Sequence, residues 1–566
     1  MKERFCNHII ERISSKCVLI RRNMENYKKL SGGILGKYYD KVKNTLLFKI
    51  DYKEHAETYK QEQGEWNAEP EFSGKYIDLC VKIYEEHGET AALDHATAVV
   101  ESVLENMRDD GYICKLKEGS EFINFGVWNQ MFTLLGMLSY YRVTGNKEVL
   151  NACEKCIAYI MNHFVNEGYD ILDCINNGTQ HGCILFVLSD IYRCTKDEKN
   201  IYYMNYIISR FKNSDLNFLD FDNILDLRSK KGIEILIILL GILKYAEITG
   251  DNDAVKGVEK YWQQVKDTQI RNTGNGTLNE VWTENALAPA MLDGGQKPNE
   301  TCVAVGWMEL SLYLFKITKK VQYLNALDRT LYNHILASIS ENGDDFAYYQ
   351  PNFGRKVRTT GEGLYKCCRY RGFTIFTYMS DMLFWEDDSN IIPMLYTDCE
   401  YCSDGIKILE KTAYPFNGDL KFTIDSYKKK LLKLRVPTGY QLKSLKMNGT
   451  DKAYLRDEGY VIYELLPGEH YEIQLSLEPL MNIETGSING KKVGAISYGQ
   501  VLLALSNKKP DVVIDVDDLG MLREERDNAY LTFKCNAKEN GKNTQAVFTD
   551  YASADGYRVW FNAVQK

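Results

Sequence analysis

The residues of this 566-residue chain that could do chemistry are Glu300-Thr301-Cys302 and, some sixty positions later, the adjacent pair Cys367-Cys368. Three thiols and a carboxylate suffice to hold one zinc ion, because thiolate and carboxylate both ligate zinc and four donors fill a tetrahedron. Residues two apart do not share a helix face, so Glu300 and Cys302 reach one ion only from a loop or the first turn of a helix. The sequence fits that requirement: Lys297-Pro298-Asn299 precedes the pair and the apolar run VAVGWMELSLYLFKI follows it. A helix N-terminus at that point carries partial positive charge and lowers the pKa of a nearby thiol. Cys367 and Cys368 also precede an apolar run, TIFTYMSDMLFW. Taken alone, the four donors read as a closed structural zinc site with no position left for a reactant.

The elements that must position these donors are mostly helices. From Phe72 to Trp385 apolar residues recur at three- and four-residue spacing between short breaks of Gly, Asn or Asp. A phrase returns within this region: YYRVTGN at 140–146, IYRCTKD at 191–197, YAEITGD at 245–251 and LFKITKK at 314–320, with a weaker echo in IYEEHGE at 83–89. Each closes an apolar helix just before another begins, at a spacing that suits one helical hairpin. About six such hairpins fit the region if they close into an (α/α)6 barrel, since closure buries end faces that an open solenoid would leave bare. After about Asn390 the period changes to two, as in Leu420, Phe422 and Ile424 and in the run Tyr471 to Leu477. The expected fold class is therefore multidomain α + β. It comprises residues 1–386 as an N-terminal segment plus barrel, 387–482 as a β-sandwich and 483–566 as a second β-sandwich, divided near SINGKKVG. One further helix is expected around Asn7 to Ile20.

Composition narrows the partners. A net charge of −9 and a pI near 5.6 offer no basic face to nucleic acid or anionic lipid, so neither is expected as a partner. The N-terminal run has charges throughout and no apolar core of signal-peptide length, which points to the cytoplasm. The 15 cysteines are odd in number and read as reduced thiols rather than a disulfide framework. Cys153-x-x-Cys156 and Cys399-x-x-Cys402 are lone pairs and read as structural.

The segments ETCVAVGWMEL, YLNALDRTLYNHILASI and the Cys-Cys pair, with GVWNQMFTLLGMLSYYRVTGN upstream, resemble the bacterial β-L-arabinofuranosidases of glycoside hydrolase family 127 and the related family 146. The resemblance implies an (α/α)6 barrel followed by β-sandwiches and a zinc cofactor. Its zinc ligands fall on Glu300, Cys302, Cys367 and Cys368, with Cys367 doubling as the nucleophile. Its acid/base glutamate, sixteen residues before ETC, falls on Glu284; Glu280, one helical turn earlier, is the second choice. Asp328 and His181, in GTQHGC, fall where the family contacts the sugar. Read by themselves, His181 is equally well a core histidine and Asp328 a partner for a neighbouring arginine. Trp128, Trp282 and Trp307 offer faces for stacking a sugar ring, although tryptophan at helical spacing is more often core. The chain departs from the family pattern where Arg369-Tyr370-Arg371-Gly372 follows the cysteines in place of two prolines and an asparagine. It departs again where Thr133 and Gly232 lie near the places of two sugar-contacting histidines, and where Asp328 replaces a glutamate. The activity implied is a zinc-dependent retaining glycoside hydrolase acting on β-L-arabinofuranosides or related short oligosaccharides. The alternative is a zinc-stabilised carbohydrate-binding or interaction protein without turnover. A homodimer is left open.

Overall fold

A computed structural model describes residues 26–64, 66–116, 119–288, 297–360, 366–506, 511–525 and 529–564. The helix expected around Asn7 to Ile20 lies outside the described residues.

The helical region alternates two kinds of helix. After helices Gly33–Phe48 and Tyr52–Thr58, the alternating helices in chain order are α1 (Glu69–His87), α2 (Thr90–Asn106), α3 (Gly126–Thr144), α4 (Lys147–Val165), α5 (Leu185–Thr195), α6 (Glu198–Lys212), α7 (Gly232–Thr249), α8 (Asn252–Thr268), α9 (Thr301–Thr318), α10 (Val321–Arg329) and α11 (Cys367–Thr377). The odd-numbered helices form an inner ring, each packing on the next and α11 closing onto α1. The even-numbered helices pack outside them as return strokes of the hairpins. Sequence sorts the two layers. α7 is buried continuously from Gly232 to Lys244, whereas α8 buries only Ala254, Gly257, Val258, Tyr261, Trp262 and Val265, at the three- and four-residue spacing of a one-sided helix.

The recurring phrase is the cap between an inner helix and its partner. Gly88, Gly145, Lys196, Gly250 and Lys319 all take left-handed φ values between 58 and 76°. Each returns its N–H to a carbonyl four residues back, on Tyr84, Tyr141, Tyr192, Ala246 and Phe315. Asn146, Asp197 and Asp251 then accept from the backbone N–H two residues on, capping the next helix. Short caps at one end of the ring leave the longer connections, and the N-termini of the inner helices, at the other. α1 and α3 approach most closely, because a Cβ on Gly74 would lie 2.3 Å from the Phe132 carbonyl oxygen.

The chain divides into two compact units that are discontinuous in sequence, whereas the sequence reading divides it into consecutive blocks. One comprises Asp40–Thr377 with Met481–Lys566, and the other Met1–Tyr39 with Tyr378–Leu480. In the first unit, Asn333 ties the barrel to the C-terminal sheet. Its amide donates to Gln500 O at 2.9 Å and its carbonyl accepts from Leu502 N at 2.8 Å. SINGKKVG forms a hairpin turn, strands Met481–Ile488 and Lys491–Tyr498 pairing antiparallel around Asn489-Gly490, both at positive φ, and the boundary between the units falls just before this hairpin, between Leu480 and Met481. In the second unit a seven-stranded sheet pairs Leu420, Phe422 and Ile424 with Leu475, Ile473 and Tyr471, so the alternating residues of both segments share one buried face. Its edge is Tyr27–Leu30, paired with Cys399–Cys402.

Candidate active site

The four proposed metal ligands come together. Glu300 is the extended residue immediately before α9 and Cys302 lies in that helix's first turn, so both side chains reach the same place although they are two residues apart. Cys367 and Cys368 open α11. The three sulfur atoms lie within 4.8 Å of one another, Cys368 Sγ at 3.2 Å from Cys302 Sγ and 3.9 Å from Glu300 Oε1. The turn before α9 is held from behind: Asn275 Nδ2 donates to Glu300 O at 2.7 Å, and Thr301 Oγ1 bonds Ala347 O and the buried His334.

Their electrostatics fit a cation. Burial pushes the Glu300 carboxyl and the Cys302 and Cys368 thiols well up, because charge in so apolar a place is costly. Glu300 Oε2 is buried without a hydrogen-bond partner among the described residues. An orphaned carboxylate oxygen beside three thiols is a donor set that a divalent zinc-like ion satisfies. Cys367 differs from the other two. The Cys302 and Cys368 thiols donate toward it, and Lys75 and Tyr348 also face it, so its sulfur is held low and takes the charge of the trio. It is also partly accessible while its two neighbours are buried.

Two charged groups flank Cys367. From α1, Glu71 ion-pairs with the buried Lys75 and accepts from the Trp128 indole at 2.7 Å. On the other side Glu280 accepts from the hydroxyls of Tyr348, at 2.8 Å, and Tyr349, and pairs with Lys231. Burial would raise the Glu280 carboxyl, but Lys231 and the two tyrosines outweigh it and hold it below the usual carboxylate range. Asn279 and Glu280 both take positive φ, at 48 and 70°. Such a conformation is uncommon for glutamate and is tolerated where neighbours impose it. Here the neighbours are Gly232 N, donating to Glu280 O at 2.9 Å, and Trp282 N, donating to Lys230 O at 2.9 Å.

A family model described as the catalytic domain of the GH127 β-L-arabinofuranosidases matches residues 22–381, well over half of the chain. The chain belongs to this family. A curated relative, the non-reducing end β-L-arabinofuranosidase of Bifidobacterium longum subsp. longum, is 20% identical over 397 residues, covering 60% of this chain and 58% of that protein. The chain thus spans less than two thirds of that relative's length. The crystal structure of a GH127 β-L-arabinofuranosidase from Geobacillus stearothermophilus T6 superposes with a TM-score of 0.76 at 16% identity, covering 95% of this chain and all of that one. A second GH127 β-arabinofuranosidase structure gives 0.77 at 15% identity, covering 96% and 99%. These likenesses show the fold, an (α/α)6 barrel followed by β-sandwich domains.

Within this GH127 site the remaining expected residues fall as follows. Glu284 is exposed in a turn beyond the Glu280 segment, and it is Glu280 that meets Tyr348, which in turn faces Cys367. His181 is buried with its ring against Phe164 of α4, and burial with the nearby His163 lowers it to about 4. Asp328 is fully buried in the last turn of α10, and the adjacent Arg329 spends Nη1 on Gln500 O at 3.0 Å. The tryptophans form no common platform. Trp307 stacks on Trp262, Trp282 is fully buried, and Trp128 serves Glu71. Thr133 bonds the Tyr59 hydroxyl at 3.0 Å, and Gly232 faces Thr277 and Val303, where a Cβ would sit 2.9 and 3.1 Å from their methyl groups. Tyr348, Tyr349, Lys231, Glu71 and Lys75 were not singled out by sequence. Only the two abutting tyrosines downstream of ETC gave any signal, and a weak one.

Among the described residues every cysteine is a free thiol, and no helix is long and apolar enough to cross a membrane.

Proposed function

We propose that the protein is a retaining glycoside hydrolase with Cys367 as nucleophile and Glu280 as acid/base, acting on β-L-arabinofuranosides or closely related short oligosaccharides. What carries the reading is one arrangement: the only partly accessible thiol of the trio faces Tyr348, whose hydroxyl donates to Glu280 at 2.8 Å. A nucleophile and a proton-transferring carboxyl joined through one hydroxyl form the pair that two-step glycoside hydrolysis requires. Glu280 replaces Glu284 in this role, because general acid–base work needs a group within reach of the reacting atoms.

Glu300, Cys302, Cys367 and Cys368 would hold a zinc ion, which when bound supplies the positive charge that lets buried thiols ionise. The Cys367 sulfur attacks the anomeric carbon while the bond from that carbon to the leaving oxygen breaks, and that oxygen takes its proton from Glu280, whose acid form is the minor one in the free protein because Lys231 and the two tyrosines hold it low. The product of this step is a thioglycoside on Cys367. Glu280 then takes a proton from water, the hydroxide oxygen bonds the anomeric carbon, and the sulfur departs. Two inversions leave the anomeric configuration unchanged. Tyr348 orients both groups, and Lys231 fixes Glu280 from the opposite side. The free thiols suit a reducing compartment, and the cytoplasm is the proposed location.

The test is an assay on aryl furanosides and pyranosides with wild type, Cys367→Ser and Glu280→Gln. Turnover of a furanoside by wild type, lost in both variants, is expected. Turnover by no substrate would favour a zinc-stabilised carbohydrate-binding protein, and full activity in both variants would refute the residue roles.

A further inference from the structure

Trp66 is 56% exposed, unlike the buried Trp128, Trp282 and Trp307. It stands three residues before α1, and its ring meets Phe125 edge-to-face with the centroids 5.8 Å apart, an arrangement that aromatic pairs favour. Both rings sit at the end of the barrel that holds the cysteines. α11, α1 and α3 are successive members of the inner ring, so their N-terminal ends lie side by side. Cys367 opens α11, Glu69 opens α1 and Phe125 is the residue before α3. Side-chain contacts join these three starts. Lys366, adjacent to Cys367, pairs with Glu69 at 3.5 Å, the two side chains being 39 and 36% exposed. Asn129 of α3 donates from Nδ2 to Asn67 O at 2.8 Å and accepts at Oδ1 from Glu71 N at 3.2 Å. Asn67 Oδ1 in turn accepts from Glu69 N at 2.8 Å. The backbone that carries the indole is thereby fixed to α1 and α3 while the indole itself faces water. An exposed apolar side chain alone is ordinary. What sets this one apart is its place on the same rim as the nucleophile, with a solvent-facing ion pair between the two.

We infer that Trp66, backed by Phe125, is the platform of a subsite for a second sugar: the one that carries the leaving oxygen of an oligosaccharide bound at Cys367, with Glu69 and Lys366 meeting its hydroxyls. The inference rests on the hydrolase reading above and adds the length of the substrate to it. A sugar ring offers one C–H face and a rim of hydroxyls. A flat apolar ring beside a few hydrogen-bonding groups is its complement. The direction follows from burial. Cys302 and Cys368 are buried beneath the partly accessible Cys367, so the sugar under attack lies on the solvent side of that sulfur and the rest of the chain leaves over the rim. Covering one indole face removes about 60 Å² of apolar surface from water, which amounts to about tenfold in binding.

Substrates of one and two sugars separate the subsite from the chemistry. Methyl β-L-arabinofuranoside fills only the position at Cys367, whereas disaccharides of that sugar on a second L-arabinose, prepared in each linkage, extend to the rim. Trp66→Ala should lower the ratio of kcat/KM on the best disaccharide to that on the methyl glycoside about tenfold, chiefly through KM, and Trp66→Phe should restore most of it. A purely structural role would depress both substrates alike, and an unmoved ratio overturns the inference. Binding is read apart from turnover in full-length Glu280→Gln protein labelled with fluorotryptophan, the Trp66 fluorine signal being assigned by its loss in Trp66→Phe. The disaccharide should shift that signal at concentrations where the methyl glycoside does not. A shift in a protein whose wild type turns over no glycoside would sustain the subsite and refute the hydrolase reading. Disaccharide hydrolysis with an unmoved Trp66 signal would leave the hydrolase standing and overturn the subsite. A signal that moves with protein concentration and not with sugar gives this face to a second copy of the chain, and likewise overturns it.

Discussion

Replacing Glu280 and Glu284 separately by glutamine decides which carboxyl moves the proton. Glu280 is bonded by Tyr348 and Tyr349, paired with Lys231 and about one fifth exposed, whereas Glu284 is an exposed turn residue. Glutamine keeps an acceptor for the tyrosines but removes both the proton and the charge opposite Lys231. Losing a charge-assisted bond in a partly buried pair costs about 1–3 kcal/mol of stability, which a chain of this size absorbs without unfolding. The kinetic loss should be far larger. A positioned general acid/base contributes about 10²–10⁴-fold, or roughly 3–5 kcal/mol of barrier. Glu280→Gln should lose that factor, and Glu284→Gln should stay within about twofold of wild type, as surface changes do. Leaving-group chemistry sharpens the assay. A 4-nitrophenolate departs without protonation, so the first step of Glu280→Gln should be spared with the aryl glycoside and impaired with an alkyl glycoside of the same sugar. Single-turnover release of nitrophenol separates that step from hydrolysis of the Cys367 adduct. If Glu284→Gln loses the larger factor, or if aryl and alkyl glycosides suffer equally in the first step, the assignment of Glu280 fails.

The cluster should bind one zinc per chain, and Cys302→Ser should abolish stoichiometric metal by elemental analysis; metal retained at full occupancy in that variant would remove Cys302 from the ligand set. Chelation should lower the thermal midpoint, since a ligand at a thousandfold over its Kd stabilises by about 4 kcal/mol, and an unmoved midpoint would contradict a bound ion. Burial lowers His55 to about 3, His181 to about 4 and His334 to about 3 in the fold. The unfolded chain therefore binds those protons first as pH falls below about 6.5, and stability should drop by about 1.4 kcal/mol per pH unit per histidine between there and about 4; denaturant midpoints flat across that window would refute neutral buried histidines. Asn333→Ala should cost about 1–3 kcal/mol by stranding the buried Leu502 amide, the Gln500 carbonyl keeping its bond from Arg329, measured by urea unfolding. Gly74→Ala should destabilise more than a surface Gly→Ala, since the added methyl meets the Phe132 carbonyl rather than a movable side-chain tip.

The caps were legible because they are local chemistry: a threonine, a residue at positive φ, and an Asn or Asp to start the next helix in the copies at 140–146, 191–197 and 245–251, with Thr318-Lys319 followed by Lys320 in the fourth. Even the echo at Gly88 ends its helix as the stronger copies do. The meeting of Cys302, Cys367 and Cys368, with Glu300 beside them, was legible because rare residue types at a helix start have few other uses. The proposed proton carrier, Glu280, was legible only as the second choice behind Glu284, for a physical reason. Counting sixteen residues back from Glu300 presumes a connection of fixed course, and here Asn279 and Glu280 turn the chain through two left-handed residues just where it pairs with Lys230 to Gly232. Lys231 and Tyr348 could not be found by pattern, because an isolated lysine or tyrosine acquires meaning only from what the fold brings against it.

The charge of the site explains why these elements meet as they do. Around Cys367 the described residues place Glu71, Glu280, Glu300 and the Cys302 and Cys368 thiols, against Lys75, Lys231 and the buried Arg371, which is paired with Glu309. Lys75 is paired with Glu71 and Lys231 with Glu280, so Glu300 and the thiols share only what those two ammoniums have left. The N-termini of the inner helices contribute partial positive charge at this end of the ring, too little to ionise a carboxyl and several thiols in a buried place. Burial pushes Glu300, Cys302 and Cys368 up, so without a cation these three remain largely protonated and Cys367 alone carries the charge of the trio. A divalent ion would supply the missing charge to groups that burial disfavours. Metal content, thermal stability and the reactivity of Cys367 should therefore rise and fall together across variants of Glu300, Cys302 and Cys368. A variant that loses metal yet keeps wild-type stability and turnover would break that link.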